Sequence, residues 1–277
     1  MKRKLVLLAV LSALALLPAR GFAVNLLGNG DLNLATDADP FDVFAPEPDS
    51  WTLETNPGGY GDPIPFEAGY YQAFQEGYAE HANPGGAGTL GMVYNSTNGN
   101  FPGFPDVPTV DADLKQSVPG TPGYKYTMTG WAYFEGGYPG GVDFLAADSP
   151  NPRAVAALPG LAPSLTDTFF ALEFLDGGGM VLPGSVEIEL KAAGQVNNPD
   201  ITEATRNWMQ HMLMGVAPAG TVSVQVRASM VDGEFNVDLP HQAAWFDDFE
   251  LTCVPEPASC LLGLLGLALV GVVRRKR

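Results

Sequence analysis

Tyr124-Lys125-Tyr126-Thr127-Met128-Thr129 opens a run to Tyr133 in which Tyr124, Tyr126 and Met128 fall on one side and Lys125, Thr127 and Thr129 on the other. A period of two marks a half-buried strand, because successive side chains of an extended chain point to opposite faces. The alternation recurs at Val186, Ile188 and Leu190 against Glu187 and Glu189, and at Val222, Val224 and Val226 against Ser223, Gln225 and Arg227. Shorter strands are expected at Trp51–Leu53, 88–94, Leu114–Val118 and 168–175, and a last one at Ala243–Thr252. Pro119-Gly120-Thr121-Pro122-Gly123 and Ala217-Pro218-Ala219-Gly220 punctuate them as turns. Ile201–Met214 fits a helical stripe through Ile201, Thr205, Trp208 and Met212, and also a strand through Trp208, Gln210 and Met212. Its surroundings favour a strand from Trp208. The pattern predicts an all-β fold, a β-sandwich or jelly roll, and the absence of a fixed repeat argues against a propeller or solenoid.

Between these strands the chain is loop-rich. Asn56 to Pro108 holds eleven Gly and seven Pro, which forbids long regular elements there. Tyr60, Tyr70 and Tyr71 in this stretch are candidates for stacking on sugar rings, although pinning down the loop by burial is the commoner use of such rings.

Both ends of the chain read as membrane-active signals. Lys2-Arg3-Lys4, an apolar core from Leu5 to Leu17 and the small-x-small Gly21-Phe22-Ala23 predict a secretory signal peptide over 1–23, with maturation at Val24. At the other end Val254-Pro255-Glu256-Pro257 is followed by an uncharged run over 258–273 and by Arg274-Arg275-Lys276-Arg277. As a helix this run is about 24 Å long, short for a span but able to cross with its flanks at the headgroups. The basic end would stay in the cytoplasm, leaving everything before residue 254 outside. The expected organisation is a leader over 1–23, a β ectodomain over 24–253 and a sorting segment over 254–277.

Residues 24–273 then hold six Lys and Arg against all 31 Asp and Glu, a net charge of −25. So acidic a surface excludes nucleic acid as a partner. Cys253 and Cys260 are the only cysteines, so no disulfide framework supports the fold. Catalytic signals are sparse: His81, His211 and His241 lack metal-binding spacing, and no nucleophile elbow or phosphate loop occurs. A glycosidase needs only two facing carboxylates, which the sequence could supply but does not single out.

The order Val-Pro-Glu-Pro, short Leu/Gly/Ala helix, Arg-rich end over 254–277 resembles the PEP-CTERM sorting signal of exported bacterial proteins. The resemblance implies recognition by a membrane-embedded exosortase, cleavage near Pro-Glu-Pro and passage from an inner-membrane-anchored precursor to the cell surface or extracellular matrix. Separately, the opening Asn25-Leu26-Leu27-Gly28-Asn29-Gly30-Asp31 and the closing Trp245-Phe246-Asp247-Asp248-Phe249-Glu250-Leu251 resemble jelly-roll carbohydrate-binding modules of the galactose-binding-like fold. That resemblance implies a structural calcium where the first and last strands meet, with Asp31, Asn33, Asp247 and Asp248 as candidate ligands. By strict alternation Asp247 shares a face with Trp245 and Phe249, and Asp248 one with Phe246 and Glu250, so the sequence leaves open which carboxylate faces a cation. Two function classes follow: a non-catalytic protein binding carbohydrate or exopolysaccharide, and a secreted polysaccharide-acting enzyme, with the first preferred.

Overall fold

The computed structural model describes residues 24–34, 48–56, 73–76, 81, 90–95, 110–138, 140, 165–198, 208–233 and 243–255. The expected leader over 1–23, Tyr60, Tyr70, Tyr71 and the sorting segment from Glu256 onward lie outside them. The described elements are all strands: β1 (Thr52–Asn56), β2 (Ala73–Glu76), β3 (Gly91–Asn95), β4 (Val110–Pro119), β5 (Tyr124–Glu135), β6 (Asp167–Leu175), β7 (Val186–Glu189), β8 (Asn197–Asn198), β9 (Met209–Val216), β10 (Ser223–Gly233) and β11 (Ala243–Pro255). The ambiguous segment is therefore a strand from Met209, while 201–207 lie outside the described residues. The short β2 and β8 have no alternation long enough to be read from sequence.

One sheet runs β1-β4-β10-β6-β7, and the other runs β2-β3-β11-β5, with β9 and β8 along the far edge of β5. Every pairing is antiparallel except the short β5–β8 contact. Inward-facing residues of both sheets form one core, in which Phe170 of β6 meets Phe246 of β11 at 5.6 Å and Phe174 meets Tyr126 of β5 at 5.9 Å. Tyr94 crosses this core to donate its hydroxyl to Ala228 O of the opposite sheet at 2.7 Å, and burial raises its pKa, keeping it a donor. A buried polar group needs such a partner to avoid its desolvation cost.

The segment that begins at Val24 is a turn laid against the end of the sandwich. Leu26 N donates to Leu251 O at 2.8 Å and Phe249 N to Gly30 O at 2.7 Å. The Asn25 side chain donates to Phe249 O and accepts from Leu251 N, both at 2.9 Å. Gln116 of β4 holds the same turn from the other sheet, accepting from Gly28 N and donating to Gly28 O, each at 2.8 Å. A Cβ at Gly30 would lie 2.3 Å from Phe249 O, so only glycine permits this approach. The two ends of the domain thus meet.

His211 of β9 is an internal titrating group. It is 5% exposed, its Nε2 lies 2.8 Å from Gln195 Oε1, and its ring stands edge-on to Phe170. Burial lowers its pKa below the usual value, so between the two values the unfolded chain binds the extra proton. The contribution of neutral His211 is complete above about pH 6.5 and is lost as pH falls toward the lowered folded value, at up to about 1.4 kcal/mol per pH unit. Urea midpoints taken from pH 7 to pH 5 should fall more steeply for the native chain than for His211→Gln. Equal slopes would remove His211 from the acid response.

Candidate functional site

The outer face of the β11-sheet changes character along its strands. Nearest the chain exit, rungs across β9, β5 and β11 hold Val216, Lys125 and Val254, then Met214, Thr127 and Thr252, then Met212, Thr129 and Glu250. Beyond a register shift between Asp247 and Glu250 the face becomes aromatic, with Trp131 and Tyr133 from β5, Trp245 from β11, and Trp208 at the entry to β9. Tyr133 lies 4.6 Å from Trp245 and 5.7 Å from Trp208, and Val93 of β3 packs beneath them. This cluster is separate from the main core.

The register shift is a β-bulge at Asp248, whose φ is +50°. An extra residue in one strand breaks strict alternation, and that corrects the expected facing of β11. Phe249 does not share a face with Asp247. It turns into the core, 1% exposed, while Asp247 stays on the aromatic side with Trp245 and Glu250 returns to solvent. Asp248 is pushed out at the bulge, where its carboxylate accepts the imidazole N–H of His81 over 2.8 Å. His81 N in turn donates to Asp247 Oδ2 at 2.8 Å, and Asp248 N donates to Asp247 Oδ1 at 2.7 Å. The His81 ring lies flat on Trp131, 4.0 Å between centroids, with the Trp208 ring edge-on at 5.3 Å.

Chemically, this is a buried aromatic cluster, Tyr133 at 0% and Trp245 at 3% exposed, whose partly exposed rim is Trp131, Trp208 and His81. The indole Nε1 of Trp208 is buried and has no hydrogen-bond partner among the described residues. The partly exposed rings of Trp131 and Trp208 are surfaces on which a hydroxyl-rich ring can stack. None of Trp131, Tyr133, Trp208, Trp245 or His81 stood out as a site residue in the sequence. A readable signal was present: Trp131 and Tyr133 continue the parity of Lys125, Thr127 and Thr129, so the face that begins polar ends aromatic.

The candidate calcium ligands divide. Asp247 and Asp248 are engaged as above, Asn33 Oδ1 accepts from Leu90 N at 2.6 Å, and Asp31 is exposed in the opening turn. Among the described residues no three His, Cys, Asp or Glu side chains gather closely enough to hold a metal. Hard oxygens suit calcium, which takes six to eight of them, but here most are already accepting N–H bonds. Cys253 is a half-buried free thiol whose pKa burial raises.

Comparison with known proteins adds two findings. Residues 254–277 match the PEP-CTERM protein-sorting motif, so the chain carries this signal of exported, cell-envelope-associated proteins. No curated protein matches the chain by sequence. Among solved structures, TmCBM61 in complex with β-1,4-galactotriose is similar at 13% identity and a TM-score of 0.41, over 84% of this chain and 100% of that one. A family 16 carbohydrate-binding module is similar at 12% identity and 0.36, over 66% and 86%. The enzymatically active domain of bacteriophage CBA120 tailspike protein 4 is similar at 12% identity and 0.45, over 83% of this chain and 22% of that one, so the chain spans about a fifth of it.

Proposed function

We propose that this chain is an exported, non-catalytic carbohydrate-binding protein whose sugar site is the partly exposed aromatic rim of the outer β11-sheet face, Trp131 and Trp208 with His81, delivered to the cell surface through its sorting motif. The observation that carries the reading is the pair of partly exposed indoles, Trp131 and Trp208, standing together with the His81 ring at the rim of the aromatic cluster. Concave or flat aromatic surfaces with a few fixed polar groups are the usual build of small-ligand sites. The sorting motif supports export and an exosortase-type processing partner, with the apolar run 258–273 anchoring the precursor in the membrane before cleavage. Exopolysaccharide of the host's own surface is the ligand class that such a location offers.

A glycan array run beside a hydrolysis assay on that exopolysaccharide tests the reading. Binding without turnover is expected, and Trp208→Ala or Trp131→Ala should each weaken it at least tenfold, about 1.4 kcal/mol. Binding unchanged in both variants would remove the aromatic face from the site. The competing enzyme reading has one observation behind it, the His81–Asp248 pair beside Asp247. Turnover abolished by Asp248→Asn would establish that reading instead.

A structural calcium at the junction of the opening turn and β11 is a separate proposal, supported by the backbone bonds that bring Gly30 to Phe249. An ion there would replace N–H donors now on Asn33 and Asp247. A ligand bound only by the native state stabilises it by about 2.7 kcal/mol at a hundred times Kd. The melting temperature should rise with calcium and stop responding in Asp247→Ala plus Asp248→Ala; a response preserved in that variant would place the ion elsewhere.

A further inference from the structure

The end of the sandwich where the chain leaves β11 is ringed by exposed apolar side chains. Val254 and Val216 flank Lys125 on one rung of β11, β5 and β9, and are 53% and 46% exposed. On the other sheet, Val222 N donates to Leu175 O at 2.8 Å, and Leu175 bridges to Val181. Val222 and Val181 are 56% and 54% exposed there, and Met180 beside them is 69% exposed. Val216 and Val254 are strand residues, while Met180, Val181 and Val222 lie just after the turns at 177–179 and 219–220, next to positions where Gly, Asn, Asp and Ser are the ordinary choice. A ring of exposed valine and methionine at one end marks a surface that meets something apolar.

We infer that this rim docks on the lipid bilayer while the precursor is held by its C-terminal tail. The inference rests on the proposed membrane anchoring of residues 258–273 and adds a second contact to it. Pro255 still pairs with Tyr124 in the sheet, and only Glu256 and Pro257 separate it from the apolar run. Three residues reach at most about 10 Å, which places the exit end of the folded domain within the headgroup layer. A rim so close is presented to the interface at high effective concentration, and a few apolar side chains suffice because the tail supplies the rest of the affinity. Lys125 is the basic residue on the exit rung, and the net charge of the domain opposes an anionic surface, so a zwitterionic lipid is the fitting probe.

The test uses the chain from Val24 to Arg277 in phosphatidylcholine vesicles, with Cys253→Ser and Cys260→Ser as background. A bimane label is placed through Val181→Cys, Val222→Cys, Leu165→Cys at the opposite end, or Leu265→Cys in the tail. Lipids carrying a nitroxide near the headgroup should quench the labels at 181 and 222 at least twofold and leave that at 165 unchanged. Quenching at 265 with none at 181 and 222 would overturn the docking and keep the anchor. No quenching at 265 would overturn the anchor and the docking together.

Discussion

Phe249→Ala is expected to lower the free energy of unfolding by about 3–5 kcal/mol, the usual cost of truncating a fully buried phenylalanine. The ring is 1% exposed and lies 5.2 Å from Trp51 and 5.3 Å from Phe170. Its floor is Gly130, where a Cβ would come within 2.7 Å of the ring. Because the bulge at Asp248 is what turns Phe249 inward, the ring ties three features together: the last strand, the opening turn and the opposite sheet. Its loss leaves a cavity bounded by rigid aromatic walls that collapse poorly. A urea titration should show the midpoint falling with m unchanged. The reverse insult, Gly130→Ala, should cost about 1–3 kcal/mol by overpacking the same contact. A loss under about 1 kcal/mol in Phe249→Ala would mean that the core closes over the gap, against the packing described.

Arg227→Met should be the second large loss, about 2–3 kcal/mol, on the outer face of the other sheet. Arg227 of β10 reaches Glu173 of β6 at 3.0 Å, Glu187 of β7 at 2.6 Å and Asp113 of β4 at 3.3 Å, with Ser229 completing the cluster. Burial alone would lower the guanidinium pKa, but the hydrogen bond and charge of Glu173, then the charge of Asp113 and the hydrogen bond of Glu187, raise it above the ordinary value. One cation thus joins three strands that carry carboxylates. Removing one partner of a buried pair typically costs about 3–5 kcal/mol, because the remaining charge is stranded. The figure here is smaller because Asp113 and Glu187 are 38% and 50% exposed and water screens them. Glu173, at 12% exposed, bears most of the effect. Adding Glu173→Gln to Arg227→Met should recover part of the stability; no recovery would assign the loss to the packed stem of Arg227.

How much of this was legible depended on whether local pattern or long-range contact decides the feature. The alternation of β5, β7 and β10 is local and predicts their faces, down to the outward Arg227 and Glu187, except that Val222 precedes β10 and is exposed. The partnership of the opening turn with β11 followed from resemblance and appears in the structure as direct backbone bonds. The bulge was not legible, because one extra residue in β11 is fixed by the fit of Phe249 against Gly130 and Phe170, residues far away in sequence. That single shift changed which carboxylate faces which side. The aromatic site was half legible: Trp131 and Tyr133 carry the parity signal, whereas Trp208 and His81 join them only through tertiary folding.

The placement of β11 also determines how the domain bears a load. From Ala244 opposite Phe134 to Pro255 opposite Tyr124, the strand is bonded along β5, and its first residues are bonded to β3 as well. The aromatic face lies near one end of this ladder and the chain exit at the other. Under the proposed function, a pull between a ligand held at Trp131 and an attachment beyond Pro255 would therefore be directed along the strand axis. Force in that direction shears many rungs together, since antiparallel hydrogen bonds run perpendicular to the strands. The same force applied across the sheet would peel them one at a time, so a load between these two points would meet the fold in its stiffer direction.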